Sequence, residues 1–333
     1  MAKSAGVLQR LWVSLKEEDR IACLNVTDGT VTKLSAVAMP GGPAACAIHP
    51  DQAVLFLALR SSKQLAALRI NSPDCLTVLC KADLPSDPCF VSTDRTGEYV
   101  LTAYYMAGEI AMHRWDGENL VPLFREKTAP KAHAFQLDNE NRNAYALHTE
   151  GNRIFRYHFD ARTGCVHLDA QPPFTPGRAL QPRHFCCHPT LPCLYVANEA
   201  GNSVSIFDRK DGALSLRGSV SSLPDTFGGL SLGAQIRITE DGRYLYMSNR
   251  GHNSIACYCV NEADGALRRI VNVPAPAWSR ALQLKENHLY AAGEMDGQLA
   301  VYMIDMQTGV PRETDRVYIG KSPMWITVYP AKP

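Results

Sequence analysis

The chain has 333 residues, 46% of them hydrophobic, enough to bury a large core as one β domain or two ordinary domains. Its 34 Lys and Arg stand against 33 Asp and Glu for a net charge of +1, so it lacks the broad positive field that nucleic-acid binders use. The first twenty residues hold no apolar stretch with a small-residue cleavage site, and no run approaches the roughly 20 apolar residues of a membrane span, so the expectation is a soluble, cytoplasmic protein with no nucleic-acid and no membrane partner.

In chain order the sequence repeats one unit of four strand-like runs. The first copy, RLWVSLKEEDRIACLNVTDGTVTKLSAV, lacks its leading run. Then come PAACAIHPDQAVLFLALRSSKQLAALRI, PCFVSTDRTGEYVLTAYYMAGEIAMHRW and AHAFQLDNENRNAYALHTEGNRIFRYHF. The clearest copies are PRHFCCHPTLPCLYVANEAGNSVSIFDRKDGALSLRGSV and GAQIRITEDGRYLYMSNRGHNSIACYCVNEADGALRRIV, followed by SRALQLKENHLYAAGEMDGQLAVYMI. The runs are β-branched and aromatic, with Asp-Gly and His-Pro punctuation.

One position of the repeat is held by Leu15, Leu59, Tyr104, His148, Asn198, Asn249 and Gly293, a spacing of about 44 to 51 residues that suits propeller blades. The closing segment SPMWITVYP matches the leading run that the first copy lacks. The sequence thus predicts an all-β fold, a single seven-bladed β-propeller domain over 8–333 with four-stranded antiparallel blades, its ring closed when the C-terminal strand joins the N-terminal blade.

Most of the eleven Cys lie inside the runs, where a reduced thiol behaves as a small apolar residue, which also fits a reducing compartment. Cys186 and Cys187 fall on opposite sides of a strand, and Cys257 and Cys259 lack a second pair at ligand spacing, so no metal is expected. No HExxH, GxSxG, Walker or GxGxxG motif appears, and no cofactor is expected. His49-Pro50 and His188-Pro189 read as turns on the face opposite the candidate site.

In an antiparallel blade the start of the first strand and the end of the second share one face of the disc. The second strands end at Lys16, Arg60, Tyr105, Thr149, Glu199, Arg250 and Glu294. The first strands start, in one register, at Ala45, Phe90, His133, His184, Gln235, Ala281 and Trp325, with Arg183 and Arg280 one residue earlier. Five cations, two carboxylates and two imidazoles thereby converge on one mouth of the channel, a pattern suited to an anion-binding cleft with an acid/base pair.

The segments PRHFCCHP, LYVANEAGNSVSIF, ITEDGRYLYMSNRGHNSIACY and DGAL resemble the seven-bladed lactonase family, which includes propeller-type 6-phosphogluconolactonases and the 3-carboxy-cis,cis-muconate lactonizing enzyme. The resemblance is strongest over residues 180 to 270, with SNRGHNSI its most specific piece. It departs in the fourth unit, where Thr149 and Glu150 replace an acidic pattern, and in the second.

The resemblance implies a metal-free site of His133, Arg183, Glu199 and Arg250, and the rim register adds His184, Gln235, Arg280, Glu294, Arg60, Lys16 and Tyr105 around the substrate. Its expected partner is a small anionic lactone, carboxylated or phosphorylated. His133 or Glu199 would be the base for hydrolysis, with the arginines holding the substrate anion and the oxyanion. The same set would serve a lactonizing cycloisomerase run in reverse. A non-catalytic propeller scaffold is the other class of reading, against which stand the convergence of these residues on the axis and the lack of WD-type dipeptides.

Overall fold

The computed structural model describes residues 8–51 and 54–329; the last four residues of the expected 8–333 span lie outside them. Seven sheets of four antiparallel strands form a ring. Each innermost strand packs against the innermost strands of the two adjacent blades. The ring closes as expected: Pro323–Tyr329 pairs antiparallel with Leu8–Leu15 and forms the inner strand of the first blade.

Burial follows from position in the disc. The second strands, such as VLFLAL, NAYALH, CLYVAN and HLYAAG, are buried along their whole length because a neighbouring blade covers each face. The outermost strands alternate exposed and half-buried residues, as in Thr30–Ala38 and Ala213–Ser221. This is why the second strands read as unbroken apolar runs while the fourth strands look polar.

A recurring tyrosine ties the fourth, fifth and sixth blades each to the next. Tyr145, Tyr195 and Tyr246 sit at the same place in three successive second strands, and their hydroxyls donate to the carbonyls of Gly212, Gly265 and Gly309 at 2.8, 2.8 and 2.9 Å. Those glycines lie in turns of the following blade and have φ of 81°, 72° and 73°, a region glycine enters without strain. The Asp-Gly pairs at 211–212 and 264–265, and Thr308-Gly309 in the same place, therefore shape a hairpin and present an acceptor to the neighbouring blade.

Every inner strand opens with a bulge. In the fifth blade Pro182 faces Asn198 and His184 faces Ala197, so Arg183 is the extra residue. His133, Cys89 and Arg280 are the extra residues of the fourth, third and seventh blades. A bulge breaks the two-residue alternation, so Arg183 and His184 both turn toward the channel instead of to opposite faces.

The bulges correct the register read from sequence. His133 is level with Arg183, and Ala134, facing Leu147, is level with His184. The channel wall is thus built in layers from the mouth inward: the bulge residues first, then Phe90, His184, Gln235 and Trp325, then residues two positions further on.

Candidate active site

At the mouth where the inner strands begin, a cavity of about 180 Å³ is lined by Arg60, Cys89, Tyr105, His133, Glu199, Arg250 and Arg280. Immediately below, Arg183, His184 and Gln235 line a residual space of about 10 Å³, barely a water's worth. Three blades supply the centre: the fourth gives His133, the fifth Arg183, His184 and Glu199, and the sixth Arg250.

Glu199 is the electrostatic hub. Its Oε2 lies 2.9 Å from Arg183 Nε and 3.2 Å from Arg250 Nη2. Its backbone is fixed on both sides, its N–H donating to Gln181 O and its carbonyl accepting from Gly233 N, each at 2.8 Å. Arg250 also donates through Nη2 to Gly233 O at 3.0 Å and lies against the Trp278 ring, with its Cζ 5.7 Å from the ring centroid. Arg183 is only 1% exposed. Burial, then the charges of Arg250 and Arg280, pulls its pKa well below the ordinary guanidinium value, and Glu199 opposes them.

Two outer pairs flank this hub. Arg280 Nη1 lies 3.4 Å from Glu294 Oε2, and Arg60 is paired with Asp87. The mouth therefore holds four guanidiniums against three carboxylates, and the ammonium of Lys131 stands over the Tyr105 ring, 4.8 Å from its centroid. The balance is positive, which is what an anionic ligand would offset.

The histidines are neutral by environment. Burial first, then Arg183, lowers both His133 and His184 well below the usual imidazole value. Their tautomers follow from their partners. Arg183 Nη1 is 3.4 Å from His184 Nε2, and a guanidinium can only donate, so His184 Nε2 is an acceptor. His133 Nδ1 lies 3.1 Å from that same nitrogen and must carry the proton that it donates. His133 Nε2 is then an unprotonated lone pair on a ring that lines the cavity, with Tyr105 packed edge-on 5.7 Å away.

Most of the residues picked out from the sequence are brought together, and the exceptions have visible reasons. Lys16 sits in the short 3-10 turn Lys16–Glu18 with its amide bonded to Ser322 O, and it lines neither cavity. Thr149 is spent on the carbonyl of Lys131, which its amide and hydroxyl both reach, and Glu294 meets the site through Arg280. Gln235 faces the channel, but its Oε1 accepts from Leu282 N at 2.8 Å, tying the sixth blade to the seventh.

Sequence reasoning missed Asp87 and Cys89. Asp87 lies three residues before Phe90, just ahead of Pro88, which opens its inner strand, so carrying the rim rule back past the strand's first residue would have found it. Cys89 holds the bulge position, where burial raises its thiol to about 11, and it donates to backbone carbonyls, including those of Ala103 and Ala132.

A larger hollow of about 420 Å³ lies on the opposite face between the fourth and fifth blades, around His188 and Arg209. Its two central groups are engaged: Arg209 pairs with Asp138 and Glu140, and His188 Nδ1 accepts from the amides of Thr190 and Leu191 within its own turn. Size therefore does not locate the chemistry, whereas the convergence of charged side chains on the axis does.

Over residues 11–328 the chain matches the family described as lactonase, 7-bladed beta-propeller. It is 28% identical over 311 residues to a 6-phosphogluconolactonase of Enterobacter sp. (strain 638), covering 91% of this chain and 93% of that one. Among solved structures it superposes on the periplasmic gluconolactonase of Pseudomonas aeruginosa with a TM-score of 0.86 at 20% identity, covering 97% of this chain and 99% of that one. A protein from Lactobacillus plantarum gives 0.87 at 19% identity with the same coverage. At such identities the structural likeness speaks for the fold alone.

Proposed function

The chain belongs to the lactonase family of seven-bladed β-propellers, and from that premise we propose that it hydrolyses a small anionic lactone, carboxylated or phosphorylated, in the manner of a 6-phosphogluconolactonase. The observation that carries this reading is His133 on the cavity wall with its Nδ1 3.1 Å from His184 Nε2, so that Nε2 is the nitrogen assigned the lone pair, beside a cluster of guanidiniums with net positive charge.

In this mechanism His133 Nε2 takes a proton from a water as its oxygen attacks the lactone carbonyl carbon. The carbonyl oxygen becomes an oxyanion opposite Arg183 and Arg250, whose N–H groups are fixed before reaction. Collapse breaks the bond from carbonyl carbon to ring oxygen, and the leaving alkoxide takes the proton back from His133. Arg250, Arg280 and Arg60 ring the cavity and would bind the substrate's own anion, through the planar fork that suits carboxylate and phosphate. Glu199 is assigned the positioning of Arg183 and Arg250, since its Oε2 is engaged by both.

We also assign a metal-independent reaction, on the chemistry of the donor set: the polar groups around the cavity are mainly guanidiniums, which donate hydrogen bonds and do not ligate cations. A screen of sugar lactones, phosphosugar lactones and muconolactones with product identification tests the proposal. The expected result is a ring-opened hydroxy acid from an anionic lactone and a fall in kcat of about 10² to 10⁴-fold in His133→Gln. Wild-type turnover by His133→Gln, or a product made by ring closure, would overturn it.

A further inference from the structure

Phe90 meets His184 and Trp325 edge-on across the channel, those two are tilted against each other, and the three rings, with centroids 5.3 to 5.9 Å apart, form a septum beneath the catalytic mouth. Beyond it the channel opens again toward the other face as a cavity of about 330 Å³. Arg237 lies on its wall, no carboxylate does, and His184 is held neutral.

Arg237 is unlike the other inward-facing arginines. Arg60, Arg183, Arg250 and Arg280 all pair with carboxylates. The Arg237 guanidinium meets only neutral acceptors: Nε donates to Gln283 Oε1 at 2.9 Å, Nη1 to Ile236 O at 2.8 Å and Nη2 to Gln235 Oε1 at 3.4 Å. Among the described residues no carboxylate lies within ion-pair distance of it. Burial draws it down only to about 10, so it stays charged at neutral pH. Three of its five N–H groups are engaged, and the two that remain, one on each Nη, are the pair that a bidentate oxyanion accepts. The Trp325 ring, 5.9 Å from Cζ, gives partial cation–π support. Gln136 and Gln283 line the same cavity, and neither side-chain amide nitrogen is engaged by another described protein group.

We propose that Arg237, with Gln136 and Gln283, forms a second binding site for a small oxyanion in the far half of the channel, back to back with the catalytic mouth and separated from it by the ring septum. A half-buried guanidinium without a counter-ion carries an unbalanced charge, and a cavity open to the far face, with amides and hydroxyls but no carboxylate on its wall, lets an oxyanion reach it. The proposal does not rest on the assigned reaction.

Crystals of the wild-type chain and of Arg237→Met soaked in low-millimolar selenate test it, with diffraction collected at the selenium edge. The expected result is an anomalous peak within hydrogen-bond distance of both Arg237 Nη atoms, absent from Arg237→Met while the refined fold is unchanged, and weakened in Arg237→Lys, which keeps the charge and loses the fork. In solution the same selenate should raise the wild-type Tm more than that of Arg237→Met. No peak in the wild-type channel, or a peak that survives Arg237→Met, would overturn the site. A wild-type peak with equal Tm increments in both proteins would mean an adventitious ion only, and would overturn it as well.

Discussion

Replacing Glu199 by Gln keeps the shape of the side chain and removes one charge, which isolates its electrostatic role. The carboxylate lies 2.9 Å from Arg183 and 3.2 Å from Arg250 and is 13% exposed, while the Arg183 side chain is 2% exposed, so neither partner can turn to water. Removing one member of a buried pair costs about 3–5 kcal/mol, because the remaining charge stays desolvated. Taking about 3 kcal/mol, the Tm of a chain of this length should fall by roughly 4 °C. The net positive charge of the mouth rises by one, so an anion should now bind more tightly than to the wild type. Inorganic phosphate at 100 times its Kd for the variant would return about 2.7 kcal/mol, nearly the whole loss. Thermal unfolding of both proteins across a phosphate series at fixed ionic strength reads the two effects together. A variant as stable as the wild type, or one with no larger phosphate increment, would refute the view of Glu199 as counter-charge to the arginines.

Two pH effects follow from the buried histidines. Protonated His133 cannot act as base, and burial and Arg183 hold its pKa well below 6.5, so kcat/KM should be level at pH 6.5 and fall only on further acidification; an acid limb centred at or above pH 6.5 would sink its assignment as the base. For stability, burial lowers His113 and His148 from 6.5 to about 4, so the unfolded chain binds protons first and stability, full above pH 6.5, is lost as pH falls toward 4. Each should cost about 2 kcal/mol between pH 7 and pH 5, visible as a lower urea midpoint, and an unchanged midpoint would contradict the burial.

The blade count and ring closure were legible because each unit repeats the same solution to the same problem. An Asp-Gly turn, a second strand covered on both faces and a tyrosine in it recur because every blade must dock on the next, and the selected glycines and tyrosines meet as Tyr145 with Gly212 and Tyr195 with Gly265. The mouth was legible through strand polarity, which places Glu199 beside Arg183 without any contact being known. What was illegible was the bulge. It adds one residue to the inner strand without a signal in composition, so His133 was set level with His184 when Ala134 holds that place. Arg237 was overlooked for a different reason. It follows Gln235 by two positions, and the alternation of a strand points both into the channel, but attention to strand ends passed over a charge in the middle of one.

The bulges also explain how this channel tolerates charge. An extra residue leaves the ladder on either side intact, so a polar side chain can be placed there while the residues before and after it still pair across to the second strand. Cys89, His133, Arg183 and Arg280 occupy such positions, and Met324 occupies the corresponding one in the blade that closes the ring. Selection can therefore change the chemistry of the mouth one blade at a time, with the tyrosine-to-turn ties and the buried second strands untouched. The limit is electrostatic: Arg183 is only 1% exposed and is held next to Glu199 from its own blade and Arg250 from the next. A bulge can aim a guanidinium into the channel, but its charge is sustained by a carboxylate on the neighbouring strand end, and that pairing rather than the bulge itself ties the fifth and sixth blades together in function.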